Sequence, residues 1–140
     1  MKSLKWIVLS LCISLLVFST GCSSTQELEG VKVRTNFQGQ GVKLFQVSVF
    51  PLYQATLEAL KNMNLKVDDI QEMGENYQVT VRTKDLHIII DLLEVSSAIS
   101  KMRVEAQEGG LFSMDTNEEM AREIIKETAI VLEARGHFHS

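Results

Sequence analysis

Beyond residue 22 this chain contains no cysteine. Its two thiols are Cys12 and Cys22. A disulfide, a thiolate nucleophile and a thiolate metal site are therefore excluded from everything downstream. Basic charge is also scarce, with 14 Lys+Arg against 18 Asp+Glu for a net charge of −4. That balance argues against nucleic acid and against adsorption to an anionic lipid surface. No Ser/His/Asp constellation has supporting spacing, and no glycine loop has the spacing that cradles a phosphate. Gly109-Gly110 reads as a turn. The chain is thus expected to be non-enzymatic and to need no cofactor. Its apolar run, Trp6 to Phe18, falls short of the roughly 20 residues a spanning helix requires.

That short run carries the main signal. Lys2 and Lys5 precede it, and Ser19-Thr20-Gly21 follows. A basic start, an apolar stretch and a small-residue exit make a secretory leader. Cys22 directly after the exit makes it a lipoprotein leader, with residues 1–21 removed and Cys22 acylated. Ser19 departs from the usual pattern, which has an aliphatic residue three before the cysteine. Two or more acyl chains hold a domain stably, because each buried CH₂ contributes about 0.8 kcal/mol. Ser23, rather than Asp, follows Cys22, which favours the outer membrane, facing the periplasm. Loss of Lys2 and Lys5 takes the mature charge from −4 to −6. The 119 mature residues out of 140 suit one domain with a single core.

Residues 22–41 read as an acylated start and a polar tether, with a weak Val31/Val33 alternation. Eighteen such residues reach roughly 60 Å at full extension. As a coil they average about 23 Å. The domain is expected over 42–136, with 137–140 a disordered tail.

Alternation over Val42 to Val49 predicts a strand with Phe45, Val47 and Val49 on one side. Phe50-Pro51 opens a helix, since proline is tolerated in the first turn. Tyr53, Leu57, Leu60 and Asn64 are placed on one of its faces, and its end near 62–64. Leu65 to Met73 is a less regular strand, with Asp68-Asp69 suggesting a bulge. Tyr77 to Arg82 alternates cleanly. Leu86, Ile88, Ile90 and Leu92 share a face of the next strand, opposite His87, Ile89, Asp91 and Leu93. After a break at Ser96-Ser97, Met102, Val104 and Ala106 alternate with Lys101, Arg103 and Glu105.

A second helix is predicted from Thr116 to Arg135. Asp115 with Glu118, or Thr116 with Glu119, supplies its cap, and Gly136 ends it. Ala121, Ile124, Ile125, Thr128, Val131 and Leu132 form its apolar stripe. The order β-α-β-β-β-β-α predicts an α+β fold: a five-stranded antiparallel sheet with both helices on one face.

The run Phe50-Pro-Leu-Tyr-Gln-Ala-Thr-Leu-Glu-Ala-Leu-Lys-Asn-Met-Asn-Leu-Lys-Val, the strands after it, the Gly-Gly loop and the closing helix resemble a family of small bacterial lipoproteins built on a domain of unknown function. The resemblance spans roughly Val42 to Arg135 plus the acylated start. It implies the same address and fold, and no catalytic residues.

Candidate chemistry is thin. His137 and His139 fall on one side of an extended chain and are a candidate metal pair, but a closed site needs more ligands. His87 and Asp91 share a strand face, with Arg82 and Arg103 on neighbouring strands. They read as cross-strand pairing; a deep pocket joining His87 to Asp91 would instead suggest catalysis. Glu119, Glu123 and Glu127 stack opposite the apolar stripe and read as a solvated face. Ile130 interrupts that face. With Ile89 and Leu93 it marks a candidate partner surface. Leu111-Phe112-Ser113-Met114 either closes the core beneath the second helix or is an exposed contact. Closure is favoured because exposed apolar patches are usually small. The methionines read as core fillers.

The expected role is a membrane-anchored interaction or structural module, with an envelope protein as partner and no nucleic acid. The alternative is a small-ligand or metal-binding lipoprotein using the open sheet face.

Overall fold

The computed structural model describes residues 25–28, 31–35, 40–109 and 115–137. Cys22, the apolar run before it, Leu111 to Met114 and His139 lie outside them. In chain order the elements are β1 (Thr25–Leu28), β2 (Val31–Thr35), β3 (Gln40–Phe45) and α1 (Val49–Asn62). Then come β4 (Val67–Met73), β5 (Asn76–Arg82), β6 (Leu86–Ser96), β7 (Ile99–Glu108), β8 (Asp115–Thr116) and α2 (Glu118–Ala134).

The expected α+β architecture is present. The five long strands lie in the order β3-β7-β6-β5-β4, every pair antiparallel. Both helices pack on one face and against each other. Two-residue alternation explains the sheet's contribution. Val79, Val81, Ile88, Ile90, Leu92, Met102 and Val104 point to the helices and are fully buried. Leu52, Ala59 and Leu60 from α1 meet them, with Ala121, Ile124, Ile125 and Leu132 from α2. Each fully buried Leu, Ile or Val contributes about 1.5–3 kcal/mol relative to exposure. Thr56 and Thr128 sit in the same core because each hydroxyl donates to the carbonyl four residues earlier, at 2.8 Å.

Four local expectations are corrected. The stretch 22–41, read as a tether, contributes β1 and β2 to the sheet, where Arg34 pairs with Val42 and Thr35 with Gly41. This hairpin covers the edge of β3, which would otherwise present unpaired backbone groups. The first long strand stops at Phe45 and Val49 already begins α1. A helix can start two residues before Pro51, because the first N–H groups of a helix have no internal acceptor for proline to forfeit. The buried stripe of α1 is Val49, Leu52, Ala55, Thr56, Ala59 and Leu60; Tyr53 and Leu57 are half-buried at its margin, and Asn64 is exposed beyond the helix end. The α2 cap is Asn117, whose side-chain oxygen accepts from the Met120 N–H at 2.9 Å. Neither Asp115 nor Thr116 serves.

Two expectations hold in detail. The β4–β5 register shifts between Val67 and Asp69, as the Asp68-Asp69 irregularity suggested. Gly136 takes a positive φ of 74° after α2 and its N–H donates to the Glu133 carbonyl at 2.9 Å.

Gly41, assigned to the tether, is a packing residue. A Cβ there would lie 2.7 Å from Ile125 Cδ1 and 3.4 Å from Ala121 Cβ. Its bareness lets α2 settle onto β3. Lys43, two residues on, also points to the helix side, its amine 5.1 Å from the Phe45 ring centre. Burial pushes that amine below its usual 10.5, and Glu133 partly opposes the shift.

Candidate functional site

The sheet face turned away from the helices carries the polar and apolar residues left over by alternation. Register arranges them in rows across the strands. The central row is Gln71, Gln78, Asp91, Arg103 and Val42. Asp91 is its unusual member: its side chain is only 8% exposed although no helix lies over it. Gln78 Nε2 donates to Oδ1 at 2.7 Å, and Arg103 Nε donates to Oδ2 at 2.9 Å with a second guanidinium contact to the same oxygen. Both carboxylate oxygens are thus satisfied, which is what allows burial of the charge. Ile89 and Leu93, two residues away on either side along β6, are half-buried.

The next row holds Thr80, Ile89, Glu105 and Gln40. Glu105 accepts from Gln40 Nε2 at 3.0 Å and from Gln107 Nε2 at 3.2 Å. The row on the other side holds Met73, Asn76, Leu93, Lys101 and Leu44. Its ends are apolar and open: Leu44 is 60% exposed and Met73 47%. Val95 and Ile99, also exposed, lie on the β6–β7 hairpin at the same end of the sheet. So this face combines a locked ion pair at its centre with an apolar margin at one end.

Of the candidate partner residues, the structure groups two. Ile89 and Leu93 flank Asp91, whereas Ile130 is exposed on the far side of α2, in the other layer. Helical spacing that hides 128, 131 and 132 in the core turns 130 outward. Leu44 was legible by alternation, since it falls opposite Phe45. Val95 and Ile99 were not, because the break at Ser96-Ser97 hid how far both hairpin arms extend.

His87 and Asp91 are not brought together. Four residues along a strand separate them by about 13 Å, and Asp91 is committed to Gln78 and Arg103. His87 instead lies directly across from Arg82. Those two, with Thr83, Lys84 and Gln107, line a cavity of about 300 Å³ at the β5–β6 hairpin. A second cavity of about 590 Å³ lies by the start of α2, among Glu108, Asp115, Asn117, Glu118 and Glu119. There Asn117 Nδ2 donates to Glu108 Oε2 at 2.6 Å while its oxygen caps the helix, so capping accounts for that arrangement. Glu119 and Glu123 are exposed, and Glu127 accepts from Asn62 Nδ2 at 3.1 Å, tying α2 to the end of α1. Met102 is buried as a core filler, but Met73 is not. His137 is exposed, and its proposed metal partner His139 is outside the described residues. Among the described residues no three His, Cys, Asp or Glu side chains converge as a metal-ligand set. Nor, among them, is any helix long and apolar enough to cross a membrane.

No known family model matches this chain, and no curated protein is detectably similar to it.

Proposed function

We propose that this chain is an envelope lipoprotein, cut before Cys22, acylated there, and held at the outer membrane facing the periplasm. Its role is non-enzymatic: the sheet face opposite the helices docks an envelope protein. The observation that carries the reading is the character of that face. It has half-buried Ile89 and Leu93 around the Asp91–Arg103 pair, and an exposed apolar margin containing Leu44 and Ile99. Covering such apolar area returns about 25 cal/mol per Å², while a pre-formed ion pair offers register at little ordering cost. The carboxylate is already desolvated, so a partner would not have to strip it of water again.

Photo-crosslinking in native membranes tests this. A photoreactive residue at Leu44 or Leu93 is expected to give a discrete protein adduct. The same residue at Ile130, on the opposite layer, is expected to give none. Equal adducts from all three positions, or none from the sheet positions, would sink the proposal. A second reading, small-ligand binding, is favoured by one specific observation: the cavity beside Arg82, Lys84 and His87.

A further inference from the structure

We propose that the cavity at the β5–β6 hairpin binds a phosphate group, with Arg82, Lys84 and His87 as its recognising side chains. The site deepens the small-ligand reading; only the source of the phosphate rests on the assignment of Cys22 as an acylated residue.

Three observations converge. The first is composition: one short hairpin of a net-negative chain places a guanidinium, an ammonium and an imidazole around one cavity of about 300 Å³. The second is the lack of any internal use for them. Among the described residues, the side chains of Arg82, Lys84 and His87 make no hydrogen bond or ion pair. By contrast Arg103, on the same face, is paired with Asp91, and Arg122 and Arg135 pair with Glu118 and Glu58. Asp85 lies at the tip and Glu108 across from Leu86, but neither lines the cavity, and Glu108 and Glu105 accept from Asn117 and from two glutamine amides. The third is a held backbone. The Thr83 N–H donates to the Leu86 carbonyl at 2.8 Å, and the Gly109 N–H donates to the Asp85 carbonyl at 3.0 Å. These bonds tie the hairpin tip to itself and to the end of β7, so the donors are presented from a fixed frame. Phosphate oxygens accept from an Arg fork and a Lys point charge, and such charge-assisted bonds are about twice as strong as neutral ones.

Register says where this site stands relative to Cys22. Thr25 pairs with Arg34, Arg34 with Val42, Val42 with Arg103, and Arg103 with Asp91. Two antiparallel steps make β1 parallel to β3, which runs away from the β5–β6 hairpin end. The chain therefore enters β1 from the hairpin end of the sheet. Cys22 precedes Thr25 by three residues, a reach of about 10 Å. Four strand spacings, roughly 19 Å, separate β1 from β6. An acyl anchor at Cys22 thus turns the hairpin end toward the lipid headgroups. The ligand is a phosphate group, from either a phospholipid headgroup or a free phosphate compound.

The test uses the full mature chain purified from membranes in a phosphate-free detergent. Inorganic phosphate is titrated while the backbone amides of 82–87 are followed by NMR. A saturable shift confined to that hairpin is expected, at least about tenfold weaker in R82A/K84A and unchanged in K101A. Lys84→Glu, at the exposed tip, is the companion variant should the double one lose its fold. In phosphatidylglycerol nanodiscs the same amides are expected to be already shifted and insensitive to added phosphate, which assigns the headgroup. Amides that still titrate in nanodiscs assign a free phosphate compound and keep the site. Absence of a saturable shift, or an equal shift in both Lys84 variants, overturns the proposal. Intact mass of the same sample reports Cys22 separately: an unmodified cysteine removes the headgroup argument and leaves the phosphate titration fully readable.

Discussion

Asp91 is the residue on which the open face turns. Sequence placed it beside Ile89 and Leu93 on the outward side of its strand, with His87 on the same face and Arg82 and Arg103 on neighbouring strands as candidates for cross-strand pairing. The structure bears out the cross-strand pairing and makes Arg103, the direct neighbour across β6 and β7, the partner, with Gln78 on the other side. A strand's period of two was enough to choose the face, but pairing across strands depends on register, which a single strand does not reveal. The pair also has an energetic signature. D91A removes the acceptor from Arg103 and Gln78 and is expected to cost about 1–3 kcal/mol in urea denaturation. Because Arg103 remains 46% exposed, a double-mutant cycle with R103A should give a coupling near the low end of about 0.5–3 kcal/mol. A coupling indistinguishable from zero would mean the face has no locked centre.

At the scale of elements, the two helices and five long strands were legible because their apolar spacing is strong. Ala121, Ile124, Ile125, Val131 and Leu132 make a stripe that only a helix can bury, and Tyr77, Val79 and Val81 a row that only a strand can. The stretch before Val42 was misjudged because its hairpin is polar and glycine-flanked, and it is stabilised by pairing to β3 rather than by its own pattern. Gly41 shows the same limit. As a letter it suggests a flexible link; in place it is the gap through which α2 meets the sheet. Gly41→Val is therefore expected to lower stability by about 1–3 kcal/mol through overpacking, and Gly41→Ala by less, since Ile125 Cδ1 is the mobile end of a side chain. A urea midpoint unchanged by valine would contradict the close approach of α2 to β3. The α2 cap was misplaced by one or two residues for a related reason: Asp115, Thr116 and Asn117 are all good caps, and the pairing of Asp115 and Thr116 into β8 leaves the task to Asn117.

For the whole molecule, the revised start of the sheet alters the geometry of the proposed anchor. A tether of eighteen residues would let the domain range over tens of ångströms; with only Ser23 and Ser24 between Cys22 and Thr25, the proposed acyl group would hold it close to the membrane. Intact mass of membrane-extracted protein is expected to show loss of residues 1–21 and added acyl mass on Cys22, with Cys22→Ser shifting the protein out of the acylated pool. Mature protein that retains residues 1–21 or carries a bare Cys22 would contradict the anchor. The fold class was legible without coordinates, because the 3.6- and 2-residue periods of the apolar positions are local and each element announces its own buried face. Sequence also confined cysteine chemistry to the first 22 residues. Which outward residues meet was left to the folding of the whole chain. It selected Arg103 from Asp91's candidate partners, separated Ile130 from Ile89 and Leu93, gathered Arg82, Lys84 and His87 around one cavity, and drew residues 25–28 and 31–35 into the sheet. Those outcomes follow from strand register and layer order, which are set by the packing of the whole chain and leave no periodic trace in any one segment of it.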